Sequence, residues 1–63
     1  MWYYVDFKSE TGATESIGFD HKPTEDTIVH HIEWFNEPCR WDWEVTNDRG
    51  RVVGTGSYTL PPP

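Results

Sequence analysis

The chain has 63 residues, a formal charge of −6 from 11 acidic and 5 basic side chains, and one cysteine, Cys39. A chain this short holds one domain and buries only about 60% of its unfolded surface, and a lone cysteine excludes an internal disulfide and the secreted, bridge-stapled scaffolds that depend on one. The acidic balance excludes the basic patch that DNA, RNA or anionic lipid would need. Stability therefore has to come from the core, and four Trp, three Tyr and three Phe supply it. Each large ring can bury about 150–250 Å².

The first segment, WYYVDFK at 2–8, alternates as a strand does. Tyr3, Val5 and Phe7 share one face, and Trp2, Tyr4, Asp6 and Lys8 share the other. SETG at 9–12 has turn chemistry. A weaker strand follows over 13–19, with Glu15, Ile17 and Phe19 on one side and Gly18 thinning it. The two strands predict a hairpin.

Thr24 is a natural helix N-cap, or else Pro23 takes the first helical position, and Glu25 and Asp26 stand in the first turn where the dipole favours carboxylates. Ile28, Ile32 and Phe35, with Val29 beside them, form one apolar stripe. Asp26, His30, Glu33 and Glu37 take the opposite side, and Pro38 ends the helix at or before Glu37. Trp34 fits neither stripe.

CRWDWEVT at 39–46 is a third strand, and NDRG at 47–50 is a turn in which Gly50 suits the left-handed position before a bulge. The fourth strand runs from Arg51 to about Thr59. Pairing Asn47 with Arg51 predicts Val45 opposite Val53, Trp43 opposite Thr55 and Trp41 opposite Ser57. Arg40, Asp42 and Glu44 would then face Tyr58, Gly56 and Gly54 on the outer side. A register shifted by one would instead put Gly54 and Gly56 under the tryptophans, a known way to cover strand glycines. The Gly50 turn favours the first register.

The expected fold is α+β, in the order β-β-α-β-β: a four-stranded antiparallel sheet of strand order 2-1-3-4 with one helix packed on one face. Residues 1–60 form the single domain, and Pro61–Pro63 are an extended tail without ladder donors. No apolar run is long enough to span a bilayer, and no signal peptide precedes the first strand. The sequence therefore predicts a cytoplasmic protein with no membrane contact.

Chemistry-bearing residues are few. His30 and His31 are adjacent and point about 100° apart on a helix, so both cannot reach one ion. The stripe Asp26, His30, Glu33, Glu37 reads more simply as a solvated face. Cys39 shares the Trp41/Trp43 face and reads as a small buried hydrophobe, where a catalytic thiol needs an electropositive, accessible setting. No Gly-rich phosphate loop is present. Outward Trp2, Tyr4 and Tyr58 could stack bases, but their neighbours are acidic, whereas single-strand binders line the groove with positive charge. No metal, cofactor or catalytic residue is expected, and the chain is read as non-enzymatic.

Protein binding remains. Trp and Tyr are common interface anchors, and carboxylates around them steer toward a basic partner. Asp42 and Glu44 stand about 7 Å apart on one strand face. With Asp6 and Glu15 on neighbouring strands they would imitate a row of phosphates. Glu33 and Glu37 offer a second acidic face on the helix, with Trp34 or Tyr4 as the anchor. A homodimer through the aromatic surface is the alternative.

In length, acidity and layout, with TEDTIVHHIEWFNEPCRWDWEV at 24–45 as an acidic-capped helix followed by an aromatic strand, the chain resembles small phage-encoded inhibitors of bacterial machines, the anti-CRISPR proteins among them. The resemblance covers the architecture and no diagnostic motif. It implies an inhibitor that occupies a site meant for DNA or RNA on a basic nucleic-acid-binding protein or complex, in the host cytoplasm, without itself binding nucleic acid.

Overall fold

The computed structural model describes residues 1–63. Its elements are β1 (Tyr3–Ser9), β2 (Thr14–Phe19), α1 (Glu25–Phe35), β3 (Arg40–Asn47) and β4 (Val52–Thr59). The strands form one antiparallel sheet in the order β2-β1-β3-β4, as the sequence predicts. No helix is long and apolar enough to cross a membrane.

The local signals account for the element ends. Thr24 is the N-cap: its side-chain oxygen accepts the Thr27 N–H at 3.3 Å. Pro23 therefore lies outside the helix. Asn36 closes the other end in the left-handed region, at φ 58°, and its N–H donates to the Glu33 carbonyl at 3.2 Å. Gly12 and Gly50 take positive φ in the two hairpin turns. The Asn47 N–H reaches the Arg51 carbonyl at 2.9 Å, the closure that Gly50 implies.

One face of the sheet carries the core. Val5 and Phe7 from β1, Trp41, Trp43 and Val45 from β3, and Ile28 and Ile32 from α1 are buried together with Cys39. Phe35 packs edge-on to Phe7 at 5.0 Å and against Trp41 at 5.1 Å. The indole N–H of Trp41 donates to the Glu37 carbonyl at 3.1 Å, so its polar atom is satisfied inside the core. The helix thus covers one face, and no element of the chain covers the other.

The β3–β4 register corrects the expected one. Asn47 and Arg51 do meet, but a bulge between Val45 and Thr46 on the β3 side leaves Val53 as the extra residue of β4. Beyond it Val45 faces Gly54, Trp43 faces Gly56 and Trp41 faces Tyr58. The physical reason is the Trp43 indole, which lies directly on Gly56: a Cβ there would sit 2.3 Å from Trp43 Cζ2. Only glycine leaves room for the ring. The Gly50 turn and the glycine beneath Trp43 are both satisfied, because the bulge takes up the difference. Tyr58 consequently turns toward the core face and is half-buried, so it leaves the outer aromatic group.

Candidate protein-binding face

Strand alternation and register together build the uncovered face. Across the strands, Ser16, Asp6, Glu44 and Thr55 form one row, and Thr14, Lys8, Asp42 and Ser57 the next. A third row holds Gly18, Tyr4, Thr46 and Val52. The acidic centre is therefore bordered by hydroxyl side chains, where the expected register had placed Gly54, Gly56 and Tyr58. A shallow depression of about 360 Å³ lies between Asp6, Lys8, Thr14, Asp42 and Glu44.

Asp6 and Glu44 are directly opposite each other on adjacent strands. Like charges in that position are destabilising. Asp6 accepts the Ser16 hydroxyl at 2.9 Å, while Glu44 has no hydrogen-bond or ion-pair partner. Lys8 stands across from Asp42, but the cation that reaches Asp42 is Arg40, whose Nε donates to Oδ1 at 3.1 Å. Neutralising Glu44 should relieve the repulsion. Glu44→Gln is expected to stabilise the fold by about 0.5 kcal/mol, raising Tm by roughly 2–4 °C in a thermal melt.

At one end of this face Trp2 and Tyr4 lie over Gly18, with ring atoms 3.8 Å and 3.6 Å from where its Cβ would be. Their other surfaces face solvent, and Trp2 is 52% and Tyr4 45% exposed. The face thus joins an aromatic end to an acidic centre.

The remaining predicted site residues lie elsewhere. Glu15 pairs with Phe7, so it stands on the helix side of the sheet and not in the row with Asp6. Glu33 is exposed on α1, 3.9 Å from the His30 ring. Trp34 is 81% exposed on the same helix, in the layer away from the acidic face. Glu37 lies beyond the helix end, so the expected four-residue helix stripe is shortened. Its carboxylate accepts the Thr11 hydroxyl and its carbonyl accepts the Trp41 indole, which ties the first turn to the core. One flat partner can therefore meet Tyr4, Asp6, Asp42 and Glu44 together, but not Glu15, Glu33, Trp34 or Glu37 with them.

Sequence reading missed the hydroxyl border of Thr14, Ser16, Thr55 and Ser57. The alternation of β2 held the signal for two of them; the β4 pair depended on the bulge.

Cys39 is buried, and burial followed by the nearby Glu37 carboxylate pushes its thiol up. That is opposite to the shift that activates a thiol nucleophile. No three His, Cys, Asp or Glu side chains converge as a metal-holding group. No protein-family model, curated protein or solved structure matches the chain.

Proposed function

We propose that this protein is a small, acidic, non-enzymatic inhibitor that binds a basic nucleic-acid-handling protein through the uncovered face of its sheet. The observation that carries the reading is the pairing of Asp6 with Glu44 on a face that nothing covers. A fold gains nothing from two unneutralised carboxylates directly opposite each other on adjacent strands. A partner bearing Lys or Arg gains from both, and Asp42 stands two residues along β3 on the same face. Negative charges about 5–7 Å apart, on a flat surface, occupy a groove shaped for phosphates. Tyr4 and Trp2 supply the apolar anchor beside them. The reading carries with it the mode of action expected of small phage-encoded inhibitors, and a host-cell cytoplasm as the compartment in which the protein would act.

Affinity capture from bacterial lysate, followed by competition between this chain and a DNA duplex for the captured protein, tests the reading. Binding is expected to fall as salt rises, and the chain is expected to displace the duplex. Asp6→Lys with Glu44→Lys is expected to weaken capture about 100-fold. Capture that survives both reversals and high salt, or a partner that keeps its DNA, would overturn it.

A further inference from the structure

β4 is one of the two free edges of the sheet, and its main-chain groups identify what fits there. The Leu60 N–H donates to the Cys39 carbonyl at 3.0 Å. In an antiparallel ladder the direction of these groups alternates, so Tyr58, Gly56 and Gly54 turn theirs toward Trp41, Trp43 and Val45 of β3. The N–H and C=O groups of Thr55, Ser57 and Thr59 therefore point outward, with no strand beside them. Sheet edges in monomers are usually blunted by charge or proline. VVGTGSYT has neither, and its bulge lies at the Val53 end, away from Ser57. The other edge, β2, is two residues shorter and carries Glu15.

The side chains of β4 select the strand that would add. About Ser57 the segment is complementary to itself when reversed. Antiparallel pairing of two copies at Ser57 sets Thr55 against Thr59, Gly56 against Tyr58 and Gly54 against Leu60. On the open face this is a run of hydroxyl pairs, which are favourable cross-strand neighbours. On the core face each large side chain meets a glycine.

We propose that β4 is a self-association edge, at which a second copy of this chain pairs antiparallel about Ser57 to make one eight-stranded sheet. The pairing is isologous, so it closes as a dimer. A two-fold axis normal to the sheet leaves both helices on one side and both acidic faces on the other. The net charge of −6 does not oppose it at close range. No charge lies on β4, and the two β3 strands are three strand spacings apart, about 14 Å, beyond the Debye length of about 8 Å at physiological salt. The interface uses none of Trp2, Tyr4, Asp6, Asp42 and Glu44, and shares with the acidic face only its bordering Thr55 and Ser57, so either reading can fail alone.

Sedimentation equilibrium across a concentration series up to roughly 0.5 mM tests the edge by mass action. The unmodified chain is expected to reach twice its monomer mass. Ser57→Pro removes an outward N–H and no ladder bond. Ser57→Lys places two ammonium groups together across the axis and provides the second variant if proline disturbs the fold. Each variant that keeps the native circular dichroism is expected to dissociate at least about tenfold more readily. An unmodified chain that stays monomeric throughout, or a dimer unchanged in natively folded Ser57→Lys, would overturn the proposal. A dimer lost in Trp34→Ala but kept in Ser57→Lys would overturn it by placing the contact on the helix.

Discussion

Trp41→Ala is expected to remove most of the stability of this protein. The side chain is 1% exposed, packs against Phe35 and donates its indole N–H to the Glu37 carbonyl. Truncating a buried tryptophan costs about 3–5 kcal/mol. A domain of this length holds roughly 3–9 kcal/mol in total, at about 0.05–0.15 kcal/mol per residue. There is no disulfide to hold the chain once the core is lost, because Cys39 is alone. Urea denaturation followed by circular dichroism should show a midpoint moved most of the way to zero. Trp41→Phe keeps much of the ring packing and loses only the hydrogen bond, so it should fall between the two. Equal losses for Ala and Phe would mean that the indole N–H, and not ring burial, holds the core.

Gly56→Ala is expected to cost about 2–3 kcal/mol, lowering Tm by roughly 10–20 °C. The added Cβ would stand 2.3, 2.6 and 2.9 Å from three atoms of the Trp43 ring system. The ring is a rigid part of the core, 7% exposed, and cannot swing clear without opening it. Gly54→Ala is the control two residues away. The nearest atoms to a Cβ there belong to Val45, at 3.8 Å, an ordinary contact. It should be close to neutral, or slightly stabilising through the less flexible unfolded chain. The contrast tests the register directly, because in the unshifted pairing Gly56 would lie on the outer face beside Asp42, where a methyl group meets solvent. Similar Tm values for the two variants would mean that Trp43 does not rest on Gly56.

Elements of the fold were legible because their signals are local. The Ile28, Ile32, Phe35 stripe, the Thr24 cap and the strand alternation of 2–8 and 39–46 each act within a few residues. The strand order was legible because two hairpins around one helix have few compact arrangements. The candidate face was legible in part. Asp6, Asp42 and Glu44 follow from alternation alone, and the sheet does bring them together. Glu15 was misplaced for a reason the sequence already held, since it alternates with Ile17 and Phe19 and those two face the helix. Glu37 was read as a solvated helix residue. Asn36 ends the helix before it, and Thr11 and Trp41, distant in sequence or beyond the helix, donate to its carboxylate and its main-chain carbonyl.

The sequence by itself determined the two hairpins, the capped helix, the aromatic core and the acidic alternation of the third strand. Each of these depends on periodicity and on residues that are neighbours along the chain. Only the tertiary structure decided how β4 lies against β3. The turn at Gly50 asked for one register and the Trp43 ring for another, and a bulge at Val53 satisfied both. That choice is a packing event between residues 13 positions apart, with no local signature. It turns Tyr58 inward and lines the open face with Thr55 and Ser57. It also leaves the outward main-chain groups of β4 on a strand with no charge.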